Sequence, residues 1–97
     1  MLNIAVLGCG RIGRMHADNI ARHADAELAM VYDVHVPSAS AVAEQHGVPA
    51  ASSPQDIFSS DHVDAVLVAT TTETHADFIE MAVAAGKPVL CEKPIDL

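Results

Sequence analysis

The sequence predicts an α/β fold, in which a doubly wound parallel β-sheet carries helices on both faces. Apolar runs of strand length alternate with helix-length segments along all 97 residues, a pattern typical of parallel strands joined by right-handed crossovers. Hydrophobic residues make up 51% of the chain but aromatic residues only 3%. The core must therefore consist of small aliphatic side chains, as in a buried sheet under close-packed helices.

Two strands and two helices are predicted in the first half of the chain. Residues Leu2–Leu7 form a continuous apolar run, which indicates a buried strand, and the apolar positions from Arg11 to His23 fit a helix. A second strand is expected over Glu27–Asp33. A second helix is expected over Ser38–His46, because Gly47 follows it where a C-terminal capping glycine belongs.

The second half of the chain continues the alternation. Ser53 followed by Pro54 is typical of a helix start, because serine caps the first turn and proline fits within it. The segment Ala65–Ala69 has no polar side chain, so this strand should lie in the centre of the sheet. The other elements predicted in this half are, in chain order, a short strand over Pro49–Ser52, a helix over Glu73–Ala85 closed by Gly86, and a strand over Pro88–Cys91.

Composition and charge exclude several functional classes. The formal net charge of −8 repels phosphate backbones and argues against a nucleic-acid partner. No apolar run approaches the ~20 residues that span a bilayer, and no basic lead precedes Leu2, so neither a membrane span nor a secretory signal is predicted. The two cysteines, Cys9 and Cys91, are too few for a disulfide scaffold and are expected to be reduced in a cytoplasmic protein. The six histidines include no pair at the spacing of a zinc-binding helix, so no metal site is predicted.

A glycine loop, Gly8–Gly13, joins the first strand directly to the first helix. Its sequence is G-C-G-R-I-G, and each glycine has a physical reason. Gly8 allows a tight turn, Gly10 lets the backbone approach a pyrophosphate, and Gly13 lets the helix lie close to the sheet. A generic strand–helix turn is the alternative, which the position of the loop disfavours. The loop therefore predicts a Rossmann-type dinucleotide-binding domain over residues 1–97.

Two further features indicate which dinucleotide binds. The first helical turn, which includes Arg11 and Ile12, offers unpaired N–H groups and the positive end of the helix dipole to the phosphates. Asp33 ends the second strand, 20 residues after Gly13, where a carboxylate accepts hydrogen bonds from both hydroxyls of the adenosine ribose and repels a 2′-phosphate. No Arg or Lys occurs in the ten residues after Asp33. The predicted cofactor is NAD rather than NADP; the alternative is that Asp33 only begins a loop.

Three segments in the last third of the chain resemble a known family. They are T-T-T-E-T-H at Thr70–His75, A-A-G-K-P at Ala84–Pro88 and C-E-K-P at Cys91–Pro94. Together with the glycine loop and the Arg14–His16 segment after it, they resemble the glucose–fructose oxidoreductase/inositol 2-dehydrogenase (Gfo/Idh/MocA) family, most nearly its NAD-dependent inositol dehydrogenase branch. The resemblance covers essentially the whole chain.

The resemblance implies a second group of cofactor contacts after the fourth predicted strand. The residues concerned are Thr70, Thr71, Thr72 and His75, in a loop similar to the one that lies under the nicotinamide-side ribose in the family. The family usually has a proline at position 71, and Thr71 does not fix φ as proline does. For His75, a helix-capping or packing role is an equally supported alternative.

The resemblance also implies that Lys93 is the catalytic lysine. Oxidation of a secondary alcohol removes the hydroxyl proton as hydride leaves for the cofactor, and a cation beside the oxygen stabilises the developing alkoxide. Glu92 is expected to orient Lys93, both residues are expected to contact the cofactor, and the Lys93–Pro94 bond is expected to be cis, as in the family. The alternative for Lys93 is a solvated lysine at a strand end.

Family members carry a second domain, which supplies the substrate pocket and a histidine general base. We expect that domain to be absent here and the sheet to be truncated after about five strands, so the 97 residues should bind NAD without turning over substrate alone. Uncovered apolar surface should then drive formation of a homo-oligomer. The predicted function is hydride transfer between NAD and a secondary alcohol of a polyol or sugar, with myo-inositol as the first candidate. Two alternatives stay open: a stand-alone NAD-sensing module without catalytic activity, and a structural fragment that folds only by pairing with a copy of itself.

Overall fold

The computed structural model describes residues 2–69 and 72–91, which form a parallel sheet flanked by helices. Within this part of the chain the strands are β1 (Leu2–Leu7), β2 (Ala26–Tyr32), β3 (Ala65–Val68) and β4 (Val89–Cys91). The helices are α1 (Arg11–Arg22), α2 (Val36–His46), α3 (Pro54–Phe58) and α4 (Thr72–Ala85). The paired strands are parallel, and their order across the sheet is β2-β1-β3-β4. The predicted doubly wound parallel sheet is confirmed.

Helices cover both faces of the sheet, and the side chains of β1 show how. Because successive residues of a strand point to opposite faces, Ile4 and Val6 belong to a core cluster with residues of α1 and α2. Ala5 and Leu7 belong to a second cluster, with residues of α3 and α4. All four residues of β3 are buried, which confirms the prediction that this strand is central.

The prediction of a strand over Pro49–Ser52 is wrong in the extent of that strand. This segment pairs with β2 only through one parallel bridge, between Val31 and Ala50. The bridge is held by two backbone hydrogen bonds, from Val31 N to the carbonyl of Pro49 at 3.2 Å and from Ala51 N to the carbonyl of Val31 at 2.8 Å. Proline has no N–H with which to extend the ladder, and the chain enters α3 a few residues later. The segment nevertheless runs along the free edge of β2, where a further strand would lie.

The helix boundaries differ from the predictions by a few residues. Helix α2 begins at Val36 rather than at Ser38, because Pro37 lies in its first turn, where a missing N–H group costs nothing. The end of α2 agrees with the prediction, since Gly47 follows it with a left-handed φ of 65° that favours glycine. Ser53 occupies the predicted capping position of α3, although its side chain makes no capping hydrogen bond in the structure.

Lys87 stabilises the amino edge of the sheet through two hydrogen bonds. Its Nζ donates to the carbonyl of Ser60 at 2.9 Å and to the carbonyl of Val63 at 2.7 Å. Ser60 and Val63 precede β3, and Lys87 precedes β4, so the two bonds tie together the segments that lead into neighbouring strands. Because the strands are parallel, their carboxyl ends all lie at the opposite edge, where ligands bind in open α/β sheets.

Candidate functional site

The candidate site lies at the carboxyl edge of the sheet, where the glycine loop leaves β1 beside the end of β2. Gly8 turns away from the strand with a φ of 105°, and its N–H donates to the carbonyl of Tyr32 at 2.7 Å. Residues with a Cβ rarely adopt this conformation. The structure therefore contains the tight turn that the sequence predicts at Gly8.

Gly13 allows α1 to lie against the glycine loop itself. A Cβ on Gly13 would overlap the carbonyl oxygen of Gly8 and would lie 2.6 Å from its carbonyl carbon. The Cβ of Ala69, just after β3, would be 3.7 Å away, which is an ordinary van der Waals distance. The sequence predicts close packing of helix on sheet, but the contact that requires glycine is with the backbone of Gly8.

The backbone at Gly10 is open to a ligand. Gly10 precedes α1 with φ −72° and ψ −168°, an extended conformation that any residue adopts, and a Cβ at this position would meet nothing within 4 Å. Neither backbone strain nor packing within the described residues therefore requires glycine here. In dinucleotide-binding loops of this type, a side chain at the corresponding position would fill the space through which the pyrophosphate approaches the backbone.

The first turn of α1 presents backbone hydrogen-bond donors, and no acidic side chain in that turn competes with an anionic ligand for them. The first hydrogen bond of the helix runs from Arg14 N to the carbonyl of Gly10, at 2.8 Å. The N–H groups of Arg11, Ile12 and Gly13 come before it and have no acceptor within the helix. In α1, which the structure describes in full, the first turn contains no acidic residue and Gly10 provides no side-chain cap. These N–H groups and the positive end of the helix dipole suit an anionic pyrophosphate.

Asp33 lies next to the glycine loop, as its position after β2 predicts. Its Oδ2 accepts a hydrogen bond from Cys9 N at 2.6 Å, and its Oδ1 accepts one from His35 N at 2.8 Å. The sequence predicts that Asp33 contacts the ribose but does not indicate these backbone contacts. The bond to His35 is a local Asx-turn, which sequence could have suggested, whereas the bond to Cys9 joins residues 24 positions apart.

Cys9 is a buried side chain beneath the loop and not a nucleophile of the site. It is 1% exposed and belongs to the core cluster on the α1 and α2 side of the sheet. Burial, together with the nearby charge of Asp33, raises the pKa of Cys9 to about 11. The thiol, which lies 3.6 Å from the carbonyl of Tyr32, therefore stays protonated at neutral pH and is a poor nucleophile.

Several predicted site residues lie at the limits of the described structure. Thr72 and His75 lie in the first part of α4, which begins one residue before the helix that the sequence predicts. The contacts expected for Thr72 and His75 stay predictions. The predicted residues that lie outside the described part of the chain are Thr70, Thr71, Glu92 and Lys93, together with the expected cis bond between Lys93 and Pro94.

The described residues also bear on two other kinds of site. Within residues 2–69 and 72–91, no group of three or more His, Cys, Asp or Glu side chains is arranged to hold a metal ion. None of the helices in the same part of the chain combines the length and the apolar character that crossing a membrane requires.

Two known relatives match nearly the whole chain in sequence. The chain is 42% identical over 96 residues to an inositol 2-dehydrogenase of Rhizobium meliloti, a match that covers 99% of the chain and 29% of the relative. It is 38% identical over 97 residues to a myo-inositol 2-dehydrogenase of Thermotoga maritima, with coverage of 99% and 29%. The chain thus spans about 29% of the length of these relatives.

Two solved structures also match nearly the whole chain. The chain matches a myo-inositol dehydrogenase from Corynebacterium glutamicum with a TM-score of 0.90 and 45% identity, covering 99% of this chain and 29% of the other. It matches GenD2 from gentamicin A biosynthesis, which was solved in complex with NAD, with a TM-score of 0.91 and 31% identity, covering 99% and 28%. A family model described as an oxidoreductase family with an NAD-binding Rossmann fold matches residues 2–97. The chain therefore belongs to the Gfo/Idh/MocA oxidoreductase family, and it corresponds to the NAD-binding Rossmann domain of that family.

Proposed function

We propose that this protein is an NAD-dependent oxidoreductase that transfers a hydride between NAD and a secondary alcohol of a polyol or sugar. The observation that carries the proposal is the placement of the Asp33 carboxylate against the glycine loop, 2.6 Å from Cys9 N. A carboxylate there suits a ribose with free hydroxyls and disfavours a 2′-phosphate. Membership of an oxidoreductase family favours an enzyme over a module that only senses NAD.

The described residues provide the cofactor half of the proposed site. The open backbone at Gly10 and the N–H groups of Arg11 and Ile12 would bind the pyrophosphate, and Asp33 would bind the adenosine ribose. A carboxylate has about four lone-pair positions, so the two backbone bonds to Asp33 leave capacity for both ribose hydroxyls. Bound NAD supplies the carbon that accepts the hydride.

Lys93 is the proposed catalytic residue. Strand β4 ends at Cys91, at the same carboxyl edge of the sheet as the glycine loop, and Lys93 follows two positions later in the sequence. We propose that its ammonium group stabilises the alkoxide as the alcohol loses its proton. In the same proposal Glu92 positions Lys93, and Thr70, Thr71, Thr72 and His75 contact the nicotinamide half of the cofactor.

We propose myo-inositol as the first substrate to test. Support comes from the relatives, since inositol 2-dehydrogenases match the chain at 42% and 38% identity. Because the chain spans about 29% of these relatives, the substrate pocket and the general base of the complete enzyme are proposed to lie in the region that the relatives carry beyond this domain.

We also propose that the chain associates with copies of itself. The large apolar side chains that are exposed in the described part of the chain are Leu2, Met15, Val34, Val36 and Val83, and exposed apolar surface favours association where it forms a contiguous patch. Sedimentation equilibrium should therefore give a mass above that of one chain. A monomer at every concentration would contradict this part of the proposal.

Titration of the full chain with NADH and with NADPH tests the cofactor assignment. We expect saturable binding of NADH and at least about tenfold weaker binding of NADPH, because Asp33 repels the 2′-phosphate. Calorimetry or the change in NADH fluorescence measures both affinities. Absence of saturable NADH binding would contradict the proposed function, and equal affinities would contradict the role of Asp33 in selecting NAD.

A further inference from the structure

At the end of β2, two consecutive residues accept hydrogen bonds from the glycine loop. The parallel ladder between β1 and β2 ends at the pair Leu7 and Tyr32. Beyond it, Gly8 N donates to the carbonyl of Tyr32 at 2.7 Å, and Cys9 N donates to the Asp33 carboxylate at 2.6 Å. The side chain of Asp33 thus continues the attachment of the loop where the backbone ladder stops.

The same carboxylate also fixes the start of α2. Its second oxygen accepts the N–H of His35 at 2.8 Å, and His35 occupies the position immediately before α2. Hydrogen bonds from N–H groups to a charged carboxylate are roughly twice as strong as those between neutral groups. One side chain therefore links two backbone segments that meet at the cofactor edge.

We propose that Asp33 is a positioning residue for the pyrophosphate, in addition to its expected contact with the ribose. By holding Cys9 N, Asp33 keeps the neighbouring Gly10 and the first turn of α1 in the conformation that receives the phosphates. The proposal rests on the proposed NAD function. Its consequence is that a substitution that removes the charge to admit a 2′-phosphate also releases the glycine loop.

A cycle of two ligands and two proteins separates the two roles of Asp33. The probes are ADP and 2′,3′-dideoxy-ADP, which lacks both ribose hydroxyls, and the proteins are the full chain and its Asp33→Ala variant. If Asp33 acted on the ribose alone, the variant would bind dideoxy-ADP as tightly as the unchanged chain, or more tightly because a negative charge has been removed. We expect the variant to bind dideoxy-ADP about tenfold more weakly, because a loop that Asp33 no longer holds would adopt the binding conformation only about a tenth of the time.

Amide exchange of Cys9 gives a readout that does not depend on any ligand. We expect exchange at Cys9 N to accelerate at least about tenfold in Asp33→Ala, whereas exchange in the buried strand β3 stays slow. An Asp61→Ala variant removes the same charge from an exposed position, and it should change neither the exchange nor the affinity. If Asp33→Ala does not fold, Asp33→Asn, which keeps one oxygen acceptor, is used and should give a smaller change in the same direction.

The outcomes distinguish failure of this proposal from failure of the proposed function. If the unchanged chain binds neither ADP nor NADH, the proposed function is wrong, and the positioning role is wrong with it. If the unchanged chain binds both ligands and the Asp33 variant binds dideoxy-ADP equally well, only the positioning role is overturned. Unchanged exchange at Cys9 N in a folded variant would overturn that role as well.

Discussion

In the glycine loop, the carbonyl group of Gly8 occupies the space that a side chain on Gly13 would need. The two residues are brought together because Gly8 turns away from β1 with φ 105° while Gly13 lies in the first turn of α1. The clash involves backbone atoms, so no rotation of a side chain relieves it. The geometry of the phosphate-binding loop therefore depends on the absence of one Cβ.

Gly13→Ala should disrupt both the fold and the site. A Cβ would lie 2.6 Å from the carbonyl carbon of Gly8, so the loop or the helix must move. We expect the free energy of unfolding to fall by about 3 kcal/mol or more and NADH binding to be lost. Urea unfolding and an NADH titration measure the two effects.

Gly10→Ala is the matched control for Gly13→Ala. Its Cβ would meet nothing within 4 Å of the described residues, so stability should change by less than about 1 kcal/mol. NADH affinity should still fall by about tenfold or more, because the methyl group fills the space proposed for the pyrophosphate. Equal affinities for NADH in the unchanged chain and the Gly10 variant would contradict the proposed position of the phosphates.

Ionisation of Cys9 should weaken the fold in alkaline solution. The folded state raises the pKa of Cys9 to about 11 from an ordinary value of 9.0, so an unfolded chain releases the thiol proton at a lower pH than the folded chain does. The resulting stabilisation is complete below about pH 9 and is lost as the pH rises towards 11. The free energy of unfolding should fall by roughly 2–3 kcal/mol across this window.

Urea unfolding on both sides of that pH window provides the measurement. A Cys9→Ala variant serves as the control, because it retains every other titrating group and lacks the thiol. Its stability should decline less over the same range. Identical pH profiles for the two proteins would show that Cys9 is not the group responsible.

Lys87→Met should destabilise the fold without altering the site. The change removes the donor to the carbonyls of Ser60 and Val63 but keeps the apolar part of the side chain. We expect a loss of about 1–3 kcal/mol in the free energy of unfolding. NADH affinity should change by less than about twofold, because Lys87 lies at the amino edge of the sheet. Arg22→Met, which removes an exposed cation from the last turn of α1, should cost less than about 1 kcal/mol; an equal cost would contradict the structural role of Lys87.

Lys93→Met should separate catalysis from cofactor binding in a protein that joins this domain to the region that the relatives carry beyond it. Loss of a cation that stabilises a developing alkoxide lowers kcat by on the order of 10²–10³. NAD affinity should change far less, because the described contacts of the loop and of Asp33 stay intact. Initial rates of NADH formation with myo-inositol measure kcat, and Glu92→Gln should give a milder decrease. Unchanged turnover in Lys93→Met would exclude the proposed role.

Local patterns in the sequence are enough to predict most of the fold. Four predicted strands and four predicted helices occur in the described residues, because each depends on periodicity, on a glycine such as Gly47 or on a proline within its own segment. The strand expected over Pro49–Ser52 reduces to one bridge at Ala50. Its apolar character does not reveal how many N–H groups can pair with β2, which depends on the alignment of two distant segments.

The sequence by itself determined the glycine loop, the turn at Gly8 and the placement of Asp33 at the carboxyl edge, because all three follow from the order of strands and helices. Only the tertiary structure decided what these residues contact. The bond from Cys9 N to Asp33, the approach of Gly13 to Gly8 and the raised pKa of Cys9 depend on distances of a few ångströms between packed elements. Such distances result from how the sheet and helices pack together, and spacing along the chain does not contain them.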